Sequence, residues 1–163
     1  MTNAMNYILY QESNGPVTTV YPSGEVPIEQ LIPMVVPAGA NYKVVDSVPA
    51  YDPTVYQLEL TPEGSPEPYV ILPLPLTQSK ASYAAAINAK AYTILQPTDW
   101  LTSRAFEEGT EIPPDWNTWR QAVRDEARAK VQTVNDCQTA EELETYVSSE
   151  AYSYWPPEPT TPA

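Results

Sequence analysis

Along the first 78 residues, apolar positions come in short runs of four to six, at residues 7–10, 17–21, 42–45, 55–60 and 69–72. The runs are rich in β-branched and aromatic residues and end at Gly, Pro, Asn or Asp, which predicts short strands. In residues 55–60, Tyr56, Leu58 and Leu60 share one face while Gln57 and Glu59 take the other. Such alternation belongs to a strand with one buried and one wet face. Asn14-Gly15-Pro16, Pro22-Ser23-Gly24 and Pro62-Glu63-Gly64-Ser65-Pro66 are read as turns. Between Pro27 and Pro33, the stretch Ile28-Glu29-Gln30-Leu31-Ile32 fits one helical turn with Ile28, Leu31 and Ile32 inward.

After residue 78 the period changes from two to 3.6. Residues 79–95 are alanine-rich, with Tyr83, Ile87, Ala91, Ile94 and Leu95 on one stripe. A second helix, capped by Thr98 or Asp99, carries Trp100, Leu101, Arg104, Ala105 and Phe106, and Gly109 supplies a left-handed end. Pro113-Pro114 opens a third helix. Its apolar stripe is Trp116, Trp119, Val123, Ala127, Val131 and Val134, with Arg120, Arg124, Arg128 and Lys130 assigned to the other face. Thr139-Ala140-Glu141-Glu142 has the spacing of a capping box and starts a fourth helix bearing Leu143, Tyr146 and Val147. The chain is therefore read as α+β. A small antiparallel β-sandwich or open barrel spans residues 5–78, a helical domain of about four helices spans 79–150, and a proline-rich flexible arm spans 151–163.

Composition sharpens this division. Of 19 prolines, 12 lie in residues 1–78, a density that excludes helices of ordinary length and blunts strand edges. All four tryptophans lie beyond the seam. The net charge is −13, with eight Lys and Arg against 21 Asp and Glu. Polyphosphate binding needs basic stripes, so neither nucleic acid nor an anionic membrane is expected as a partner. No apolar run reaches the roughly 18 residues of a membrane span, and residues 1–5 do not read as a signal peptide. One cysteine, Cys137, cannot form an intrachain disulfide, which fits a reducing cytoplasm.

The candidate chemistry is sparse. The absence of histidine removes the commonest general base, the Ser–His and Cys–His pairs, and most zinc sites. No phosphate-cradling glycine loop or calcium loop is present. Asp46 and Asp52 flank one loop, where capping is the commoner role. No catalytic residue, cofactor or metal is assigned. What remains are aromatic surfaces suited to binding. In the β half these are Tyr7, Tyr10, Tyr21, Tyr42, Tyr51, Tyr56 and Tyr69. In the helical half, Trp100, Phe106, Trp116, Trp119 and Val123 are read as core or interface, with a cage of Trp100, Trp116 and Trp119 for a sugar or cation as the alternative. Tyr154, Trp155, Pro156 and Pro157 form either a free end or a docking arm.

The helical half carries a resemblance. Leu95-Gln96-Pro97-Thr98-Asp99-Trp100, then Arg104, Glu107 and Gly109, then Ile112-Pro113-Pro114-Asp115-Trp116 and Trp119-Arg120-Gln121-Ala122-Val123-Arg124-Asp125, resembles bacteriophage tail-fibre assembly proteins. Trp119 stands where that family usually has tyrosine, and Val123 where it often has leucine. The resemblance spans roughly residues 80–150. In the β half, Ile32-Pro33, Val35-Val36-Pro37-Ala38-Gly39 and Tyr42-Lys43-Val44-Val45-Asp46 are similar to segments of related phage proteins. Those relatives usually continue with an arginine–phenylalanine stretch, whereas this chain reads Ala50-Tyr51-Asp52-Pro53.

The resemblance implies an ATP-independent chaperone acting in the host cytoplasm. Its β module would grip the distal part of a tail-fibre polypeptide, and its helical module would help chains associate. Fibres are trimers, so a 3:3 complex or a homotrimer is implied. The alternatives are a permanent virion component, such as a fibre-tip, adaptor or baseplate protein, and a carbohydrate-binding module.

Overall fold

The computed structural model describes residues 6–13, 15–20 and 26–160. The chain divides into two compact units, Met1–Leu74 and Pro75–Ala163. Its class is α+β: among the described residues, five strands in two small antiparallel sheets are followed by helices. The sheets are open and do not close into a barrel.

The first unit contains β1 (Tyr7–Gln11), β2 (Val17–Val20), α1 (Ile28–Val35), β3 (Asn41–Val45), β4 (Tyr56–Leu60) and β5 (Tyr69–Pro73). One sheet has the order β2-β1-β3 and the other is the hairpin β4-β5. Each strand grows from one of the short apolar runs. The turn ahead of β5 is closed by the Ser65 amide on the Pro62 carbonyl at 3.2 Å, with Gly64 at φ 86°. A side chain at that φ is strained, so glycine fits it.

Register fixes the faces. β1 sets Leu9 opposite Thr19 and Lys43, and Tyr10 opposite Thr18 and Tyr42. Directly opposed residues share a face. Tyr7, Leu9, Val17, Lys43 and Val45 therefore point one way, and Ile8, Tyr10, Val20, Tyr42 and Val44 the other. Leu9 and Val45 meet Leu58 of β4 in a shared core, with Tyr7, Val17, Val48, Tyr51, Leu60 and Tyr69 packed around it. On the second sheet, Gln57, Glu59, Val70 and Leu72 form the wetter outer face.

α1 is longer than the single turn expected and includes Pro33. Pro33 leaves only the Glu29 carbonyl without its helical donor, a tolerable loss in eight residues. None of the helix is fully buried, although Ile28, Leu31 and Ile32 are half-covered. Tyr21 and the turn Pro22-Ser23-Gly24 lie outside the described residues.

The second unit comprises α2 (Leu76–Leu95), α3 (Asp99–Glu108), α4 (Pro114–Asp136), α5 (Ala140–Val147) and the single turn α6 (Glu150–Ser153). α2 starts earlier than the residue-79 boundary expected from the alanine-rich run. Pro75 holds its N-cap position, and its carbonyl accepts from the amides of Gln78 and Ser79. α2 packs along α4. Their core includes Ile87, Ala91, Trp116, Trp119, Val123, Ala127 and Val134. Gly109 ends α3 at φ 64°, as its position in the sequence indicates.

Two assignments on this unit are corrected. Arg120 and Lys130, expected on the outer face of α4, are 4% and 1% exposed. The arm expected to extend freely beyond residue 150 instead begins with α6 and lies against α4. Each buried donor meets backbone carbonyls: Arg120 meets Leu95, Lys130 meets Ala151 and Tyr152, and Trp119 meets Pro156.

Candidate functional site

The tyrosines of the β unit do not form one surface. Tyr7, Tyr51 and Tyr69 pack around the core, and the Tyr69 hydroxyl donates to the Ser47 carbonyl at 3.1 Å. Tyr10 and Tyr56 are half-buried. Tyr42 is 46% exposed, and its neighbour on the same face, Val44, is 42% exposed. The candidate surface thus narrows to Tyr42 and Val44 on the edge strand β3, with Tyr10 directly opposite Tyr42.

A cleft of about 660 Å³ runs beside this strand, lined on one side by Asn41, Lys43 and Val44 and on the other by Leu60, Pro62 and Glu63. Sequence reasoning missed Lys43. Its signal was the charge count, because it is the one cation among residues 1–79.

In the helical unit, four residues of the resembling stretch meet: Leu95, Thr98, Asp99 and Arg120. Arg120 Nη2 meets Asp99 Oδ1 at 2.8 Å, and Nη1 donates to the Leu95 carbonyl at 3.1 Å and to the Thr98 hydroxyl. Thr98 in turn donates to Leu95 O at 2.8 Å. Thr98 has φ −111° and ψ 7°, away from the extended N-cap conformation, and makes no side-chain cap on α3. Trp116 and Trp119 meet edge to face at 5.6 Å and are buried with Val123. Their faces are therefore closed to a sugar cage. Trp100 remains 45% exposed under the Arg104 guanidinium, which sits 4.7 Å from its ring centroid, and Phe106 is 91% exposed.

The C-terminal arm is organised by α4. Trp119 Nε1 donates to the Pro156 carbonyl at 3.0 Å. Lys130 Nζ donates to the carbonyls of Ala151 and Tyr152, pairs with Glu126 at 3.0 Å and lies 5.4 Å from the Trp155 ring centroid. Trp155 and Pro156 are half-buried, whereas Tyr154 and Pro157 are exposed. The spacing 116, 120, 123, 127, 130 and 134 was the signal that both cations lie on the buried stripe.

The chain matches no protein-family model, no curated protein and no solved structure. Among the described residues, no three His, Cys, Asp or Glu side chains group to hold a metal ion, and no helix is long and apolar enough to cross a membrane. Asp52 Oδ1 accepts from the Thr54 amide at 2.7 Å, the local turn role read for it. Burial pushes the Cys137 thiol and the Tyr146 phenol above their ordinary pKa values, the first helped by the Glu142 carboxylate. Both shifts favour the neutral form, which does not activate a nucleophile.

Proposed function

We propose that this chain is an ATP-independent assembly chaperone for a bacteriophage tail fibre. Its β unit holds the distal part of the fibre polypeptide in the host cytoplasm, and its helical unit supports association into a 3:3 complex. The observation that carries this reading is the open edge strand β3, with Tyr42 and Val44 exposed beside a cleft. A helper without ATP acts by binding transiently exposed surface and shifting populations. Fibre tips are intertwined β structures with high contact order, so they fold slowly and expose strand edges meanwhile. A second support is the resemblance: residues from distant parts of the matching motif meet, Asp99 with Arg120 and Trp116 with Trp119.

The test is co-expression with the adjacent fibre gene, reading the yield of soluble fibre trimer. The reading requires that yield to fall when this protein is omitted. Equal yield without it removes the proposal.

A permanent place on the tail is a second reading, favoured by Phe106. A phenylalanine at 91% exposure, on the same helix as the half-exposed Trp100, suits a surface that stays covered. Mass spectrometry of purified particles separates the two, since a stoichiometric signal indicates retention.

A further inference from the structure

The edge of β3 has the properties of a strand acceptor. In the order β2-β1-β3 it ends its sheet, so alternate N–H and C=O groups point away from β1. Among the other edges, Pro16 precedes β2 and Pro73 lies within β5, while β4 has no proline but carries no cation. β3 contains no proline. A row of unpaired backbone groups is best satisfied by another extended backbone, while side chains at alternate positions supply specificity.

Those alternate positions differ in chemistry. Tyr42 and Val44 occupy the outer face. Lys43 occupies the face of Leu9 and Val45 and lines the cleft opposite Glu63. It is half-buried, and among the described residues it has no ion-pair partner. It is also the one cation in a unit with eight carboxylates. Two copies paired at β3 about Lys43 would oppose like charges within two acidic units, which disfavours a second copy of this chain.

We propose that β3 accepts an extended strand from a different polypeptide, whose apolar–carboxylate–apolar sequence sets the carboxylate against Lys43 and the apolar residues beside Tyr42 and Val44. This rests on the chaperone reading and names the chemistry of its client.

The test uses the full chain and a synthetic peptide with Val-Glu-Val at its centre, compared with a Val-Lys-Val peptide by calorimetric titration. The wild type should prefer the glutamate peptide by about tenfold or more. Lys43→Glu should reverse the preference, and Lys43→Gln should abolish it. Circular dichroism checks that each variant is folded. Of two glutamate peptides N-methylated at alternate amides, one should lose binding. Equal binding of both charge types, an unchanged preference in folded Lys43→Glu, or full binding by both methylated peptides overturns the proposal.

Co-expression with the fibre keeps the two readings distinct. If folded Lys43→Glu and Lys43→Gln both support fibre assembly like the wild type, the strand proposal falls and the chaperone reading stands. If the wild type shows the peptide selectivity but the fibre assembles without it, the chaperone reading falls and the strand site stands.

Discussion

The indole N–H of Trp119 donates to the Pro156 carbonyl, joining residues 37 apart in sequence across 3.0 Å. The proline-rich arm is thereby tied to the middle of the helical unit. Trp119→Phe keeps an aromatic ring and removes the donor. It should cost about 0.5–1.5 kcal/mol, the usual net worth of one such bond. Hydrogen exchange at the amides of Trp155 and Glu158 should rise in the variant. Unchanged exchange would show that packing alone holds the arm.

Arg120 ties the end of α2 to the start of α3. Arg120→Met fills similar space but leaves the Leu95 carbonyl and Thr98 hydroxyl without its guanidinium. A loss of about 1.5–3 kcal/mol is expected in urea unfolding, as for hydrogen bonds to charged groups. Asp99→Asn should cost less than about 1 kcal/mol, because the Asp99 side chain is 53% exposed and water screens the pair. Equal losses in the two variants would contradict this ranking.

Much of the fold was legible because periodicity reports local geometry. The five strands and the α4 stripe follow from it. The single turn read at residues 28–32 fell short because Pro33 was taken as a stop rather than a tolerated interior residue. Tyr7 and Tyr42 look alike in sequence, and only the β1–β3 register places one against the core and the other outside. Lys130 looks like a surface cation until the carbonyls of Ala151 and Tyr152 are brought to it. The helical spacing could place Lys130 on the buried stripe, but its carbonyl partners, like the register of Tyr7 and Tyr42, come from distant segments.

The start of α5 offers a local test. Thr139 Oγ1 accepts from the Glu142 amide at 3.1 Å, while Glu142 Oε2 reaches the Gln138 amide at 2.6 Å. The reciprocal bond lands one residue before the position usual for a capping box. Thr139→Ala should lower stability by about 1 kcal/mol, and Thr139→Ser should restore most of it. Thermal unfolding of the three proteins checks both effects.

Cys137 makes stability depend on alkaline pH. Its folded-state pKa lies above the unfolded value, mainly through burial. The associated stability is full below the unfolded thiol pKa, about 8.5, and is lost as pH rises through the folded pKa. Unfolding free energy should therefore be level from pH 6 to 8 and decline above that. Cys137→Ala should flatten the first part of the decline, leaving the later contribution of Tyr146, which is shifted the same way. Iodoacetamide should label native Cys137 far more slowly than the urea-unfolded chain. Superimposable pH profiles for the wild type and Cys137→Ala would remove the thiol as the cause.

The scarcity of cations in the β unit has a practical consequence at β3. Trypsin cuts after lysine and arginine, and before Lys80 the chain offers it a single bond, the one following Lys43. That bond lies inside an ordered strand. When opening and closing are fast relative to cleavage, the digestion rate tracks the open population. Trypsin thus becomes a one-site clock for the detachment of β3 from its sheet, and any molecule that seals this edge should slow it.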